Sequence, residues 1–229
     1  MIKIFRASER GTTNLDWLDS RHSFSFGHWT DLERMGYRSL RVLNDDRVAG
    51  GKGFGVHGHR DMEIISYVLS GELKHEDSMG HGGVINHGEV QVMSAGTGVQ
   101  HSEWNASEDR PVHFLQIWIL PESEGNTPGY QQSSFGEESL RSGWVQIVGG
   151  DSGVNIDRDA KLFSTIAEPT EEREVKLESG RGGYLFVARG KVHFHGHDLE
   201  EGDSVIVEDE GKLSLKAEIE SELLLFDLA

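Results

Sequence analysis

The stretch GFGVHGHRDMEIISYVLSGEL, residues 53–73, joins a pair of histidines to a run of strand-forming residues. His57 and His59 are separated by one residue, and a β-strand points residues i and i+2 to the same face, with Cβ atoms roughly 6–7 Å apart. Glu63 follows closely, and the β-branched and aromatic run IISYVL then ends in a Ser-Gly turn signal at Gly71. The stretch predicts two converging imidazoles beside a buried hairpin.

Short apolar or alternating runs of the same kind recur along the chain, separated by Gly and Asp. Examples are SLRVLND (39–45), VQVMSAG (90–96), VHFLQIWIL (112–120) and KVHFHG (191–196). This spacing favours an all-β sandwich or barrel over alternating strands and helices. Only EESLRS (137–142) suggests a short helix.

A polar segment between residues 121 and 143 predicts a connector between two domains, and it contains two of the four prolines. On either side of it an apolar run, a Gly turn, a polar strand and a Gly-acid turn follow in the same order, which is a weak internal repeat. We therefore expect two barrels of related topology, comprising residues 1–130 and 131–229.

The composition restricts the possible partners. The chain has no cysteine, which excludes disulfides, thiolate metal sites and cysteine nucleophiles. Its net charge of −17 disfavours direct binding of nucleic acid, because phosphate contacts need a basic face. The first residues lack the pattern of a signal peptide, and no window approaches the ~18 apolar residues of a membrane span. We expect a cytoplasmic monomer that binds neither nucleic acid nor membrane.

A second pair with the same spacing, His101 and Glu103, lies in SAGTGVQHSEWN (94–105) directly after a Gly-rich turn. Two such pairs on paired strands would direct three imidazoles and one carboxylate toward one point. These groups suit first-row divalent metals, and there is no sulfur for a closed structural zinc site. The sequence therefore predicts a metal site with coordination positions open to substrate, water or O2.

These residues resemble the two conserved motifs of the cupins. The first motif is fitted by Gly51, His57, His59 and Glu63, with the closing glycine one residue late at Gly71. The second is fitted by Gly88, Gly96, His101 and Asn105, although Ser94 replaces the usual proline and four residues rather than two separate Gly96 from His101. A longer pattern runs from HGHRDMEIISYVLSGEL (57–73) to SAGTGVQHSE (94–103) and includes the earlier segments WLDSRHSFSFGHW (17–29) and SLRVLNDD (39–46). This pattern, dense over residues 12–120, is similar to the pirin branch of the cupins.

The resemblance implies a bicupin, that is, two cupin barrels (double-stranded β-helices or jelly rolls) in tandem, with one metal in the N-terminal barrel. The ligands carried over are His57, His59, His101 and Glu103. Other cupins use the glutamate of the first motif, but pirins use the glutamate two residues after the second-motif histidine, so we prefer Glu103 over Glu63. The expected metal is Fe(II), and Mn, Ni, Cu and Zn are compatible with the same donor set.

The resemblance also implies an activity, that of a quercetin 2,3-dioxygenase acting on a flavonol and O2. Glu103 would be the catalytic base that takes the 3-hydroxyl proton, and the heterocyclic ring would open with loss of carbon monoxide. The alternative is a non-enzymatic pirin, a metal-dependent or redox-sensing protein that regulates or binds protein partners. A storage-like β-protein with a vestigial site is a third possibility.

Other histidines and aromatic residues allow secondary expectations. His75, His81 and His87 fall in a polar, Gly-rich hairpin and are expected to be solvated. His22 and His28 flank an aromatic segment that either lines a barrel mouth or packs in the core.

Phe54, Trp104 and Trp118 are candidates for pocket walls, although such residues are more often core. His193, His195 and His197 alternate along a strand, but no second His-x-Glu motif follows them. We therefore expect the C-terminal barrel to be metal-free.

Overall fold

The computed structural model describes residues 1–150, 152–208 and 211–229, and these are built almost entirely of β-strands. The elements in chain order are β1 (Ile2–Phe5), a 3-10 turn (Ala7–Glu9), β2 (Gly11–Leu15), β3 (Leu18–His22), β4 (Leu40–Val48), β5 (Gly53–His59), β6 (Glu63–Ser70), β7 (Glu72–Asp77), β8 (Gly82–Asn86), β9 (Glu89–Ser94), β10 (Val99–Asn105), β11 (Val112–Ile119), β12 (Gly129–Ser134), α1 (Glu137–Ser142), β13 (Val145–Val148), β14 (Ala160–Ala167), β15 (Glu172–Lys176), β16 (Gly182–Arg189), β17 (Lys191–Phe194), β18 (His197–Glu200), β19 (Ser204–Glu208), β20 (Lys212–Ala217) and β21 (Ser221–Leu228). The predicted all-β class is confirmed, and α1 coincides with the helix predicted at 137–142. In the part of the chain that the structure describes, no helix is long and apolar enough to cross a membrane.

The chain folds into two compact units. The first unit consists of residues 10–134 and 154–158, and the second of residues 1–9, 135–153 and 159–229. The second unit takes β1 from the N-terminus, because β1 pairs with β19 in antiparallel register, with Ile2 opposite Val207. The sequence could not assign β1 to the second unit, because a pairing between strands about 200 residues apart has no local sequence signal. The contiguous domain boundary at residue 130 stays a prediction.

The first unit is built from two antiparallel sheets. The larger has the strand order β12-β9-β6-β11-β4-β3-β2, and the smaller has the order β5-β10-β7-β8. Val68 and Phe114 of the larger sheet share one buried apolar cluster with Leu73 and Ile85 of the smaller. Fully burying a side chain of this size stabilises the fold by about 1.5–3 kcal/mol, so these contacts hold the sheets together.

The second unit repeats this two-sheet plan. Six strands are ordered β1-β19-β16-β21-β14-β13, and four are ordered β15-β20-β17-β18. Its buried apolar cluster joins Leu185 and Leu225 of the six-stranded sheet to Phe194 and Leu213 of the four-stranded sheet. Alternating apolar residues, as in KLSLKA of β20, supply this core.

The hairpin between β6 and β7 depends on a glycine. Gly71 has φ of 76°, in the left-handed region that glycine adopts readily, and a Cβ there would lie 2.8 Å from the carbonyl oxygen of Pro111. The Ser-Gly turn predicted at the end of IISYVL is therefore present, and it brings β7 beside β10 in the smaller sheet.

The smaller sheet positions the residues predicted to bind metal. β5 and β10 are antiparallel neighbours, with His101 directly opposite His57. The register then shifts, so that Glu103 lies opposite Phe54 rather than Gly55. Such a bulge changes the direction of a side chain relative to the regular ladder.

A row of polar side chains crosses the larger sheet. Consecutive cross-strand neighbours in β3, β4, β11, β6 and β9 are His22, Asn44, Gln116, Ser66 and Gln91, here called the polar row. All five are buried. Because buried polar groups need hydrogen-bonding partners, such a row is costly in a β-core and marks the region that faces the predicted site.

Candidate metal centre

Three imidazole nitrogens converge at one point in the first unit. Nε2 of His101 lies 2.9 Å from Nε2 of His59 and 3.0 Å from Nε2 of His57. Two nitrogens bound at about 2.0–2.1 Å to one metal, with an angle near 90° between the bonds, lie about 3 Å apart. The spacing of these three nitrogens therefore matches that of ligands to a single ion.

Hydrogen bonds on the outer side of the rings direct lone pairs toward that point. His57 donates from Nδ1 to the carbonyl oxygen of Gly55 at 2.8 Å, which leaves its Nε2 unprotonated. Nε2 of His75 donates to Oδ2 of Asp77 at 3.4 Å, so Nδ1 of His75 accepts from Nδ1 of His101, also at 3.4 Å. Lone pairs of His57 and His101 thus face each other, and a cation between them relieves their repulsion.

Burial keeps the rings neutral, which is the form that binds metal. Burial and the neighbouring His57 lower the pKa of His59 to about 4. Burial, together with three adjacent imidazoles, lowers the pKa of His101 to about 2. Burial also lowers the pKa of His75, although Asp77 acts in the opposite direction.

Glu103 is buried beside this cluster and lines the same cavity as His57 and His59. The hydroxyl of Ser66, in the polar row, donates to Oε1 of Glu103 at 2.9 Å. Burial raises the pKa of Glu103 to about 7, and the Ser66 hydrogen bond limits the rise. A Glu103 oxygen lies within 4.8 Å of ring nitrogens of His75 and His101. The structure thus brings Glu103 to the histidines, and its role as a ligand stays a prediction.

Glu63 is hydrogen-bonded elsewhere. The hydroxyl of Ser94 donates to Oε2 of Glu63 at 2.6 Å, and the side chain is buried. Burial raises the pKa of Glu63, while Ser94 and the backbone of Asp157 lower it. Glu63 neither lines the cavity nor belongs to the clusters of ligand atoms found in the described part of the chain. It is a buried strand residue whose carboxyl group has its own partner.

A cavity of about 260 Å³ opens beside the three histidines. It is lined by Thr13, Leu18, Ser20, His22, Phe26, Gly27, His28, Asn44, Asp46, Phe54, His57, His59, Glu103, Gln116 and Trp118. Trp118 packs edge-on against both His59 and Phe26, with ring centroids 5.0 and 5.5 Å apart. An apolar pocket with a few convergent polar groups is typical of a site for a small molecule.

The cavity tests several sequence expectations. His22 and His28 both line it, which favours the barrel mouth over core packing for the segment they flank, and Phe54 and Trp118 line it as well. Trp104 was a wrong prediction as a wall residue, because its side chain alternates away from Glu103 on β10 and is 40% exposed.

His75 corrects another expectation, because it is fully buried rather than solvated. Strand β7 alternates, so Leu73 and His75 point inward while their neighbours remain exposed. The ring of Tyr130 stacks on His75 with a centroid distance of 5.2 Å. His81 is exposed, as the sequence predicted. The polar composition of the hairpin concealed that His75 lies at a core-facing position.

The histidines of the second unit form a looser group. His193 bonds through Nδ1 to Oδ1 of Asp198 at 2.8 Å, and both side chains are more than half exposed. His195 is also exposed. The expectation of a metal-free C-terminal barrel stays a prediction.

Comparison with known proteins agrees with this geometry. A family model described as Pirin matches residues 4–119, and a model described as the quercetinase C-terminal cupin domain matches residues 147–228. The chain belongs to the pirin family. As a pirin it contains two cupin-type domains, which confirms the predicted fold class.

The similarity to known proteins covers the whole length of this pirin. It is 40% identical over 228 residues to a protein named quercetin 2,3-dioxygenase from Escherichia coli K12, covering 100% of this chain and 99% of that protein. The crystal structure of YhhW from Escherichia coli matches with a TM-score of 0.95 at 40% identity, covering 100% and 98% of the two chains. A structure of the bacterial pirin YhhW in complex with nickel(II) matches with a TM-score of 0.93 at 39% identity, covering 100% and 99%.

The residues of this pirin fit a divalent metal ion. Nε2 of His57 and Nε2 of His59 each lie within hydrogen-bonding distance of Nε2 of His101, and a carboxyl group lies beside them. Imidazole and carboxylate are ligands that first-row divalent metals accept, whereas a calcium site would need more oxygen atoms.

Proposed function

We propose that the protein is a metal-dependent quercetin 2,3-dioxygenase, which opens the heterocyclic ring of a flavonol with O2. The observation that carries the proposal is the convergence of three imidazoles beside a cavity that also contains Glu103 and aromatic walls. The 40% identity over the whole chain to a protein named quercetin 2,3-dioxygenase supports it.

We infer that the metal is Fe(II). Imidazole and carboxylate ligands with open positions are typical of non-heme iron oxygenases, although Mn, Ni, Cu and Zn suit the same donors. The nickel(II) bound to the similar bacterial pirin is consistent with this breadth. Metal analysis of protein purified without chelator and without a nickel column tests the inference, and a metal other than iron as the main component would contradict it.

The bound metal supplies a Lewis acid for the 3-hydroxyl and 4-keto oxygens of the flavonol. His57, His59, His101 and Glu103 would hold it, and the outer hydrogen bonds of His57 and His101 leave their Nε2 atoms free for that purpose. Glu103 takes the proton of the 3-hydroxyl group. Its pKa of about 7 is well matched to proton transfer near neutral pH, and the Ser66 hydrogen bond orients its carboxyl group.

The apolar walls bind the planar rings of the substrate and keep water away from the reacting carbons. Phe26, Phe54 and Trp118 present aromatic surface to the cavity. The ring opens with loss of carbon monoxide, and both atoms of O2 remain in the ring-opened product.

The test is turnover of quercetin by protein loaded with Fe(II) without oxygen and then exposed to air. We expect the long-wavelength absorption of the flavonol to disappear, and we expect Glu103→Gln to abolish this loss. Glu63→Gln is the matched control, because Glu63 is also a buried carboxyl with a serine partner but lies outside the cavity. It is expected to keep most of the activity.

Metal binding without turnover of any flavonol would contradict the proposal and favour the alternative, a metal-dependent regulatory or protein-binding pirin.

We propose in addition a cytoplasmic monomer that does not bind nucleic acid directly. The net charge of −17 supports the last point. Sedimentation at micromolar concentration tests the monomeric state, and a dimer would contradict it.

A further inference from the structure

A second buried carboxyl group, that of Asp46 in β4, lines the cavity. Its residue is only 4% exposed. The Ser20 hydroxyl on the neighbouring strand hydrogen-bonds to the carboxyl group. Oδ1 of Asp46 has no hydrogen-bonding partner among the described residues. A carboxyl group that lines the cavity thus has one buried oxygen without a hydrogen-bonding partner among the described residues.

Asp45, the adjacent residue, is also buried, but both of its carboxyl oxygens have partners. Oδ1 of Asp45 lies 2.6 Å from Nε2 of His113 and 3.1 Å from Nη1 of Arg47, and its Oδ2 accepts from Arg10 at 3.1 Å. Burial opposes the charge of Asp45, but these partners outweigh it and lower the pKa to about 2. For Asp46, burial dominates and raises the pKa to about 7, with nearby Asp45 and Glu103 acting in the same direction.

Packing gives no reason for a carboxyl group at position 46. Phe114 lies opposite Asp46 on β11, and Leu18 and Phe54 line the same cavity. An apolar side chain would avoid the desolvation cost of an unpaired carboxyl group in these surroundings. Retaining a carboxyl group at such a position is typical of a functional site.

The neighbouring His22 is already paired at both ring nitrogens. Nδ1 of His22 lies 2.8 Å from Oδ1 of Asn44, and its Nε2 lies 2.9 Å from Oγ1 of Thr13. Nε1 of Trp118 is buried and without a partner in the described residues, but as a donor it cannot accept from a hydroxyl group. Asp46 therefore offers an acceptor besides Glu103.

We propose that Asp46 recognises a hydroxyl group of the substrate other than the one that binds the metal. This inference rests on the proposed function. Asp46 lies on the larger sheet, whereas the histidines lie on the smaller one, so a planar molecule in the cavity contacts both. The substrate class is a polyphenol that carries a further ring hydroxyl besides the metal-binding pair of oxygens.

The expected consequence is selection by hydroxylation. A site built to accept a hydrogen bond rejects an analogue that lacks the hydroxyl group, because the buried polar atom is then left unpaired. 3-Hydroxyflavone keeps the 3-hydroxyl and 4-keto oxygens of quercetin but has no other hydroxyl group. We expect the wild-type protein to prefer quercetin over 3-hydroxyflavone at least about tenfold.

The experiment measures this preference twice in the metal-loaded full-length protein, as a ratio of Kd values without oxygen and as a ratio of kcat/KM in air. Asp46→Leu replaces the carboxyl group with an apolar side chain of similar size, and Asp46→Ala removes it without added bulk. Both are expected to reduce the ratio to near unity, because they weaken the binding and turnover of quercetin more than those of 3-hydroxyflavone. Asp46→Asn keeps an oxygen acceptor and is expected to retain much of the preference.

Asp19→Ala is the matched control, since it removes a nearby negative charge from a side chain that is 44% exposed and does not line the cavity. It should keep the full preference. Metal content and the thermal midpoint establish that each variant is folded. An equal preference in the wild type, Asp46→Leu and Asp46→Ala would overturn the inference.

The two proposals fail in different ways. Suppose that the wild type turns over neither flavonol but binds quercetin more tightly than 3-hydroxyflavone, and that this difference is lost in Asp46→Leu. The proposed dioxygenase activity is then wrong, and the recognition role of Asp46 stands. If both flavonols react with the same ratio in the wild type and in Asp46→Leu, the dioxygenase stands and Asp46 has no role in recognition.

Discussion

His101 and His75 face each other through their Nδ1 atoms, 3.4 Å apart, while Nε2 of His101 points toward Nε2 of His57 and of His59. His75 in turn donates to Asp77, whose Oδ1 accepts the backbone N–H groups of Met79 and His81 at 2.8 and 3.0 Å. The carboxylate is thus fixed by the backbone, and it fixes the tautomer of two successive imidazoles. Outer hydrogen bonds of this kind orient a metal ligand and raise its basicity.

Removing the His75 ring is therefore expected to weaken metal binding. In His75→Ala, His101 loses the acceptor that holds its proton on Nδ1, and metal affinity should fall about 10- to 100-fold. Titration of the metal-free protein with Fe(II) or Ni(II) measures the change. His75→Gln, whose amide oxygen can accept from His101, should restore part of the affinity.

His81→Ala is the control for this prediction. The His81 ring also stacks on Tyr130 and lies 3.3 Å from Oδ2 of Asp77, but it is exposed and has no contact with His101. The backbone N–H to Asp77 remains in the variant. Equal losses of metal affinity in His81→Ala and His75→Ala would show that the ring stacking, rather than the chain of hydrogen bonds, matters.

The turn before β10 should be intolerant of any side chain at Gly96. This residue has φ of 43°, and a Cβ would lie 2.0 Å from the carbonyl oxygen of Asn126. Gly96→Ala is expected to destabilise the protein by more than about 1 kcal/mol and to lower metal affinity, because the turn leads into His101. Denaturant unfolding and metal titration measure both effects.

Gly129→Ala provides the comparison, since no atom lies within 4 Å of the added Cβ and its φ is not in the left-handed region. Its expected change in stability is within about 0.5 kcal/mol. A similar, small effect of both substitutions would mean that the turn at Gly96 adjusts without cost.

Asp45 should contribute stability that depends on pH. Its partners lower the pKa to about 2, below the unfolded value near 4, so its contribution is present above pH 4 and is lost as the pH falls through about 2. The difference corresponds to about 2–3 kcal/mol at neutral pH. Asp45→Asn should therefore lower the free energy of unfolding by about that amount at pH 7 and by much less near pH 2.

Asp19→Asn serves as the surface control, because Asp19 and its partner Arg21 are 44% and 38% exposed. Exposed ion pairs contribute about 0–1 kcal/mol, so a small change independent of pH is expected. A pH-independent loss in Asp45→Asn would contradict the electrostatic explanation and indicate a packing defect.

Metal stoichiometry tests the assignment of a single site. We expect one equivalent of metal per chain, reduced to near zero by His57→Ala combined with His101→Ala. Replacing the exposed His193, His195 and His197 with alanine should leave the stoichiometry unchanged. Two equivalents in the wild type, with one lost in the second set, would place a metal in the C-terminal barrel.

Local spacing was sufficient to predict part of this molecule. A strand brings residues i and i+2 to one face, so His57 with His59, and His101 with Glu103, could be grouped from the sequence alone. Alternating patterns and turn residues predicted the all-β class, and α1 lies where the sequence suggested a short helix or turn. These features depend on neighbours in the chain, and the sequence displays such neighbours directly.

The remaining features depend on contacts between strands that are distant in sequence. The burial of His75 and the pairing of β1 with β19 follow from cross-strand register, which no single segment reveals. Register also separates Asp45, which meets His113, from Asp46, which faces the cavity.

The sequence by itself determined which residue types could bind a metal and that they lie on strands. The sequence already favoured Glu103 over Glu63, and only the tertiary structure showed that Asp46 also reaches the cavity, because that depends on how distant strands pack. Glu63 bonds to Ser94 outside the cavity, whereas Glu103 and Asp46 are buried inside it. Burial raises the pKa of Glu103 and Asp46 to about 7, and burial is a property of the folded chain.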